Sequence, residues 1–250
     1  MNTNEVALVT GGNKGLGREI VRQLATEGLT VYLGARDAER GLSARDALAK
    51  EGLDVRFVQL DVTDPGSVGA AVKSIEADAG RLDALVNNAG IVVEWGTKVA
   101  DITADQLREV YEVNVFGVVT VTSACIPLLR RSPNGRIVNM SSGLGSLTLL
   151  ADQDSYLSTQ KFLAYSSSKA ALNALTVVYS NALRADGIKV NSANPGLVAT
   201  DLNAASDAPR GGRTTTDGAR NPVHLALLSA NGPTATFTGG GESPTAPVPW

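Results

Sequence analysis

Short apolar runs alternate with longer amphipathic stretches along most of the chain. The apolar runs are rich in Val, Leu and Ile, and they are Glu5–Thr10, Thr30–Ala35, Asp54–Leu60, Leu82–Asn87, Gly135–Ser141 and Ile188–Ala193. Because they show little polar alternation, they are typical of strands buried on both faces of a parallel sheet, and the stretches between them are long enough for crossover helices. The pattern predicts an α/β fold with a doubly wound parallel sheet.

The pattern loosens toward the C-terminus. Asp201–Ala219 carries Gly, Thr, Ser, Asp and Arg with almost no apolar periodicity, and a last strand is predicted at Thr234–Thr238, after Pro222–Ala230. Segments that leave the carboxyl ends of parallel strands border the ligand crevice, so residues 197–220 are either a surface loop or a lid over substrate. The tail Glu242–Trp250 contains three prolines and is expected to be irregular and docked on the surface.

Composition narrows the class of protein. The 250 residues, 43% of them hydrophobic, are expected to form a single domain, and a formal net charge of -3 gives no basic footprint for nucleic acid or an anionic membrane. A small-molecule partner is therefore expected. A single cysteine, Cys125, and a single histidine, His224, exclude an intrachain disulfide and argue against a metal site. With no leader pattern before the first strand and no apolar run approaching the roughly 20 residues that span a bilayer, the expected location is the cytoplasm.

A glycine-rich turn follows the first predicted strand and precedes a helical pattern, Arg18–Glu27. Residues without a Cβ let the backbone turn sharply and approach a pyrophosphate, which then lies at a helix N-terminus. The alternative is a tight turn with no ligand, but the strand before and the helix after favour a dinucleotide site. The residues expected to contact the cofactor in this turn are Gly11, Asn13, Lys14, Gly15, Leu16 and Gly17.

A tyrosine and a lysine four residues apart form the candidate acid–base pair. Tyr165 and Lys169 lie in Leu163–Leu183, whose apolar spacing predicts a helix, so the two side chains share a face. A phenol has a pKa of about 10, and a nearby ammonium and a positive nicotinamide are expected to lower it. Such a pair alone is usually a surface pair, but this one follows the fifth strand and the serines Ser141 and Ser142, which favours catalysis.

These features occur together in the short-chain dehydrogenase/reductase family, which the chain resembles from Thr10 to about Gly240. The spacing Thr-Gly-x-x-x-Gly-x-Gly, the run Asn-Asn-Ala-Gly after the fourth strand and the Tyr-x-x-x-Lys pair carry the resemblance, and GGNKG with Ala35-Arg36-Asp37 resembles its carbonyl reductase branch. The family implies one Rossmann-type domain of about seven parallel strands with helices on both faces. It further implies an oxidoreductase that uses a nicotinamide cofactor.

The second strand favours NADP(H) over NAD. It ends Leu33-Gly34-Ala35-Arg36 and lacks the carboxylate that would bind both ribose hydroxyls and repel a 2′-phosphate. Lys14, Arg36 and Arg40 could converge on that phosphate. The alternative is that Arg36 and Arg40 are solvated surface charges, partly neutralised by Asp37.

The resemblance also assigns roles to individual residues. Tyr165 would exchange the proton, Ser142 would hydrogen-bond the substrate oxygen, Lys169 would also hold the nicotinamide ribose, and Asn114 would support a proton relay. From the residues alone, Ser142 is equally a cap and Asn114 equally a buried amide that satisfies backbone groups. The remaining cofactor-binding residues implied by the resemblance are Asp61, Val62, Asn88, Ala89, Gly90, Pro195, Gly196, Val198 and Thr200.

The chain departs from the family in one segment. Ser142 and Tyr165 are 23 positions apart, which is longer than the commonest spacing, so residues 143–163 contain an insertion within Leu147–Phe162. We expect it to border the substrate mouth, and it leaves both a monomer and a homo-oligomer open. Seven apolar residues could either line a substrate pocket or belong to the core. They are Val92, Val93, Trp95, Leu144, Leu147, Leu149 and Leu197.

The predicted function is hydride transfer between NADP(H) and a carbonyl or secondary alcohol carbon of an unidentified substrate. A catalytically silent NADP(H)-binding sensor is the alternative, against which Ser142, Tyr165 and Lys169 argue. An epimerase or dehydratase related to this fold would have a different glycine spacing and a longer C-terminal substrate domain than the residues after Pro195 provide.

Overall fold

The strands all belong to one parallel sheet. In the computed structural model, which describes residues 5–203 and 212–250, the sheet has seven strands in the order β3-β2-β1-β4-β5-β6-β7. The strands are β1 Val6–Thr10, β2 Thr30–Ala35, β3 Val55–Gln59, β4 Ala84–Asn87, β5 Arg136–Met140, β6 Lys189–Asn194 and β7 Phe237–Gly239. Every neighbouring pair is parallel. The predicted doubly wound fold is confirmed.

Helices cover both faces of the sheet. They are α1 Gly15–Thr26, α2 Ala38–Ala49, α3 Pro65–Ala79, α4 Ala104–Tyr111, α5 Gly117–Leu129, α6 Leu147–Ala151, α7 Leu163–Ala182 and α8 Thr215–Ala226. A π-helical turn, Glu112–Phe116, joins α4 to α5. Short 3-10 turns lie at Val99–Asp101, Gly143–Gly145, Tyr156–Thr159, Arg184–Asp186 and Asp201–Asn203.

The core consists of two layers, one on each face of the sheet. Alternate strand residues point to opposite faces, so Ala7 and Val9 of β1 pack with α1, α2 and α8, whereas Val6 and Leu8 pack with α3 and α5. This double burial explains why the strand sequences are apolar throughout instead of alternating.

Several helices are capped by their own sequence. Asp37 caps α2, Asp64 caps α3, Thr103 and Gln106 form a capping box on α4, and Thr214 caps α8. By contrast, the N-cap residues of α1 and α7 offer no side-chain cap. The N-terminal amides of these two helices, which receive no cap from the adjacent residue, matter for the site described below.

The C-terminal third differs from its sequence prediction. Helix α8 begins at Thr215, inside the segment predicted to be irregular, and β7 lies later than the predicted Thr234–Thr238. Pro222, the first residue of the segment Pro222–Ala230 in the sequence analysis, falls within α8. The helix forms because Ala219, Val223 and Ala226 recur at helical spacing and are buried against the sheet. Residues 204–211 of the predicted substrate loop lie outside the described residues.

The C-terminal tail folds back over the sheet edge. Trp250 stacks on Phe237 with ring centroids 5.5 Å apart, and its carbonyl oxygen accepts hydrogen bonds from the backbone N–H and hydroxyl of Thr148 at 3.1 and 2.7 Å. The tail therefore holds helix α6, which lies in the segment predicted to contain an insertion.

One helical run differs from the expectation that no apolar segment approaches the length needed to span a bilayer. Within the described chain, Ala104–Leu129 contains an 18-residue window with a mean hydropathy of 1.6, which is long and apolar enough to cross a membrane by these two criteria. Half of that window is buried inside the domain. Val121, Cys125 and Leu128 supply its core contacts, as in a helix that covers one face of a sheet.

Candidate active site

The predicted site residues meet where the strand order reverses. The chain proceeds from β1 to β2 on one side of the sheet and from β4 to β5 on the other, so a crevice opens at the carboxyl ends of β1 and β4. Ligands of open α/β sheets bind at this position. The glycine turn follows β1, and Asn88, Ala89 and Gly90 follow β4.

The glycine turn presents the N-terminus of α1 to this crevice. Gly11 and Gly15 have φ values of +65° and +51°, a backbone conformation that L side chains rarely adopt. A Cβ on Gly17 would collide with the carbonyl oxygen of Gly11 and the amide of Asn88. Because Lys14 provides no side-chain cap, the first amides of α1 remain available for an anion.

Asn88 holds the turn in place. Its amide nitrogen donates to the carbonyl oxygens of Thr10 and Gly11 at 2.9 and 3.3 Å, and the Thr10 hydroxyl accepts from the backbone N–H of Asn88 and of Ala89, each at 3.0 Å. Sequence reasoning assigned Asn88 a ribose contact and did not foresee this backbone role. The bonds tie the ends of β1 and β4 together across the crevice.

An open cleft of about 680 Å³ lies beside the glycine turn. Its lining includes Lys14 and Arg40, as expected for a 2′-phosphate, and also Arg18, which sequence reasoning missed. Arg18 lies four residues after Lys14 at the start of α1, a spacing that could have revealed it. Asn13 also lines the cleft, whereas Arg36 lies outside its lining.

Acidic side chains accompany these cations. Lys14 pairs with Asp201 at 3.2 Å and Arg40 with Asp37 at 3.5 Å, all four being substantially exposed, so both pairs are weak and exchangeable. Hydrogen bonds from Thr63, with a smaller contribution from the charge of Arg36, hold the pKa of Asp61 below its ordinary value.

The candidate reaction centre lies at the end of β5 and the start of α7. Ser142 caps the 3-10 turn that follows β5, accepting from Leu144 N–H at 3.2 Å, and its hydroxyl faces the phenol of Tyr165 closely enough to lower the pKa of that phenol. Ser141, by contrast, has a buried hydroxyl with no hydrogen-bond partner in the described part of the chain. The structure thus brings Ser142, and not Ser141, to Tyr165.

Lys169 is buried next to Tyr165. Its Nζ lies 5.5 Å from the centroid of the Tyr165 ring and donates to the carbonyl oxygen of Met140 at 2.7 Å. Burial lowers the pKa of Lys169 to about 8 and raises the pKa of Tyr165 to about 12, although the Ser142 hydrogen bond lowers the latter in part. The expectation that a nearby ammonium lowers the phenol pKa is therefore wrong for the chain alone, because burial raises that pKa and the lowering contribution comes from Ser142, not from Lys169.

Asn114 connects the reaction centre to the segment after β4. It is fully buried in the π-helical turn, and its side-chain amide pairs with Ile91, accepting from N–H at 2.9 Å and donating to the carbonyl oxygen at 3.1 Å. It also donates to Ser168 at 3.1 Å. A Cβ placed on Gly90 would lie 3.3 Å from Asn114 Oδ1 and 3.6 Å from Lys169 Nζ, so these three residues are neighbours. Asn114 thus satisfies the backbone N–H and carbonyl groups of Ile91, which is the structural role that the sequence analysis had considered for it.

The segment after β6 returns toward the glycine turn. Gly196 has a φ of +74°, and Arg213 donates to the carbonyl oxygen of Pro195 at 3.1 Å. Val198 forms a bridge with Arg213, and Thr200 lies 3.6 Å from the position that a Cβ of Gly15 would occupy. Both ends of the crevice are therefore bordered by residues assigned to the cofactor.

The 3-10 turn after Ser142 packs on α7 through Gly145. A Cβ on Gly145 would lie 2.7 Å from the backbone carbonyl carbon of Lys169. Leu147 and Leu197 are 67% and 51% exposed, which excludes them from the core. The other residues expected to form an apolar pocket or core are only partly buried, and they are Val92, Val93, Trp95, Leu144 and Leu149.

Glu94 is a second residue that sequence reasoning missed. Its side chain is 1% exposed, and its carboxylate accepts hydrogen bonds from the backbone N–H groups of Ala164 and Tyr165 at 3.0 and 2.7 Å. No local pattern in the sequence signals this contact, because the partners are about 70 residues apart.

Comparison with known proteins agrees with this geometry. Residues 5–211 match the family model described as short chain dehydrogenase. Short-chain dehydrogenase/reductase 1 of Saponaria officinalis is 36% identical, with 92% of each chain covered. A (+)-neomenthol dehydrogenase of Capsicum annuum is 34% identical over 92% of this chain and 94% of its own length.

Solved structures show the same likeness in three dimensions. NADPH-bound carbonyl reductase from chicken fatty liver superposes with a TM-score of 0.85 at 27% identity, with both chains covered completely. The carbonyl reductase branch indicated by the glycine turn is thus represented among the similar structures.

Proposed function

Because this chain belongs to the short-chain dehydrogenase/reductase family, we propose that it is an NADP(H)-dependent oxidoreductase that moves a hydride between the nicotinamide and a carbonyl or secondary alcohol carbon. The observation that carries the proposal is the contact of Ser142 with Tyr165 beside buried Lys169, at the carboxyl end of the sheet. Relatives named as a dehydrogenase and a carbonyl reductase support this reaction class.

The residues of the crevice fit NADP(H). The uncapped N-terminus of α1 and the glycine turn would hold the pyrophosphate. Lys14, Arg18 and Arg40 line the adjoining cleft and would bind a 2′-phosphate. We assign Arg36, which directly follows β2, to the same phosphate. Residues 195–200 would border the nicotinamide amide. When bound, the cofactor would donate the hydride in its reduced form and accept it in its oxidised form.

Tyr165 would provide the proton in the reduction direction. With a pKa of about 12, its phenol carries a proton at neutral pH, which is the form needed to protonate a carbonyl oxygen. As hydride reaches the carbonyl carbon, the O–H bond of Tyr165 breaks and a new O–H bond forms on the substrate. Ser142 would donate a hydrogen bond to that oxygen, and the Lys169 ammonium would stabilise the phenolate left behind.

We assign the substrate mouth to the insertion at 143–163 and to residues 197–203 and 212–220. Exposed Leu147 and Leu197 supply apolar surface on these two segments, and Trp95 packs edge-on against Phe162 with ring centroids 5.0 Å apart. A substrate with an apolar body and one carbonyl group matches such a rim.

The deciding experiment is titration of purified protein with NADPH and NADH by fluorescence, followed by a panel of aldehydes, ketones and quinones monitored by NADPH absorbance. We expect tight NADPH binding and turnover of at least one apolar carbonyl compound. Tight binding without turnover across the panel would favour the sensor, and no binding of either cofactor would overturn the proposal.

Cofactor preference is tested at Arg36. Arg36→Asp places a carboxylate where NADP(H) would be repelled and ribose hydroxyls bound, so the ratio of NADPH to NADH affinity should fall at least about tenfold. Lys73→Asp reverses an exposed charge on α3 and should leave the ratio unchanged. An unchanged ratio in Arg36→Asp would show that Arg36 is only a surface charge.

A further inference from the structure

Helix α7 carries Tyr165 but lacks a cap from its own sequence. Its N-cap residue is Phe162, which provides no side-chain acceptor, so the first N–H groups of the helix need partners from elsewhere. Other helices of the domain obtain them from an adjacent Asp or Thr. The cap of α7 instead comes from the segment that follows β4.

Glu94 supplies that cap with both carboxylate oxygens. One oxygen accepts from Ala164 N–H at 3.0 Å and the other from Tyr165 N–H at 2.7 Å, and the side chain is 1% exposed. In the described residues it forms no ion pair, so the amides and the positive end of the α7 dipole compensate its charge. The second bond is made by the backbone of Tyr165 itself.

Neighbouring contacts hold Glu94 in position. Asn114 binds the backbone of Ile91, three residues earlier, on both its N–H and its carbonyl oxygen. On the other side of Glu94, Trp95 packs against Phe162. The segment from Ile91 to Trp95 is thus fixed at both ends, which makes the carboxylate a rigid support for α7.

We propose that Glu94 is a positioning residue that sets the placement of Tyr165 relative to Ser142 and substrate. This inference rests on the proposed function. A displacement of about 1 Å at a reacting group can lower turnover by about a hundredfold. The two helix N-terminal hydrogen bonds of Glu94 are with backbone N–H groups and not with the phenol, so its effect is transmitted through the backbone of α7.

The test uses Glu94→Ala, which removes both acceptors, and Glu94→Gln, which keeps the shape and one acceptor oxygen. We expect kcat to fall at least tenfold in Glu94→Ala and by less in Glu94→Gln, while the NADPH dissociation constant stays within about twofold. Amide hydrogen exchange of Ala164 and Tyr165 in the unliganded protein should become faster, by at least tenfold in Glu94→Ala.

The matched control is Asp83→Asn. Asp83 is equally buried and also accepts a backbone N–H, from Val6 at 2.8 Å, but it lies at the opposite, amino end of the sheet. This variant should lose stability and keep kcat within about twofold. It separates a general loss of stability from a loss of positioning.

A double-mutant cycle decides whether Glu94 acts through Tyr165. Glu94→Ala should lower kcat much less in a Tyr165→Phe background than in the wild type. An equal loss in both backgrounds, an unchanged kcat, or unchanged exchange at Ala164 and Tyr165 would overturn the inference. A wild-type chain that binds NADPH without turnover would instead overturn the proposed function, and the exchange experiment would still test the Glu94 contact.

Discussion

At the scale of single residues, burial determines which protonation states the site holds. Tyr165 and Lys169 are displaced in opposite directions, the pKa of the phenol upward and that of the ammonium downward, because desolvation disfavours the charged form of each. In the chain without cofactor, the phenol is therefore protonated at neutral pH, and the Lys169 ammonium loses its proton more readily than an ordinary lysine does.

Removal of the Tyr165 hydroxyl tests its part in the reaction. Tyr165→Phe keeps the ring but cannot transfer a proton, so turnover should fall at least about a hundredfold while NADPH binding stays within about twofold. Steady-state rates and fluorescence titration measure both. Tyr179→Phe deletes a partly buried phenol from the same helix and should retain full activity. Comparable rates for the two variants would refute the mechanism.

Lys169 predicts a pH dependence of stability. Its folded pKa of about 8 lies below the ordinary lysine value of 10.5, so above about pH 8 the unfolded chain binds more protons and stability rises with pH. From pH 7 to 9.5 this residue should add about 2 kcal/mol to the free energy of unfolding.

Urea unfolding at both pH values checks this prediction. Below pH 9.5 Tyr165 stays protonated in the folded state, and the unfolded phenol is mostly protonated too. Lys169→Met should remove most of the increase, whereas the solvent-exposed Lys50→Met should preserve it. An increase of the same size in Lys169→Met would assign it to other groups.

At the scale of elements, the contact of the 3-10 turn Gly143–Gly145 with α7 depends on the absence of a side chain. Gly145 lies in the 3-10 turn after Ser142, and a Cβ there would lie 2.7 to 2.9 Å from the backbone and Cβ of Lys169. The turn that presents Ser142 and the helix that presents Lys169 are therefore in direct contact.

Gly145→Ala should separate these two elements. Overpacking of this kind destabilises a domain by about 1–3 kcal/mol, and we also expect turnover to fall because Ser142 moves relative to Tyr165. Gly69→Ala on α3 meets nothing within 4 Å and should be neutral or stabilising by about 0.5–1 kcal/mol. Thermal unfolding and kcat of the two variants provide the comparison. A Gly145→Ala protein as stable and active as wild type would contradict the contact.

At the scale of the whole molecule, we expect access to the interior to require global unfolding. Cys125 is the single cysteine and is fully buried in the layer between the sheet and α5, and burial raises its pKa to about 12. Its thiol should therefore react with a disulfide reagent only as fast as the domain unfolds.

Labelling kinetics in increasing urea measure this directly. A cysteine placed at exposed Lys50 in a Cys125→Ala chain should react at once and serves as the control. Rapid, stoichiometric labelling of Cys125 in buffer would show that this layer opens without global unfolding.

The sequence by itself determined the class of fold and the types of residue at the site. Strands buried on both faces must be apolar throughout, and a backbone that approaches a phosphate needs glycine, so both features are readable locally. The extent of α8 was not readable locally, because Pro222 is a local signal against a helix. The helix is stabilised instead by the burial of Ala219, Val223 and Ala226, which depends on the tertiary structure.

Only the tertiary structure decided which candidates meet and which other residues support them. It placed Ser142 at Tyr165, put Arg18 instead of Arg36 in the lining of the cleft, and gave α7 its cap from Glu94. These contacts join segments far apart in the chain, and the two pKa values reflect burial that no local pattern encodes. Distance in sequence and desolvation are the physical reasons why this part of the site had to be read from the folded chain.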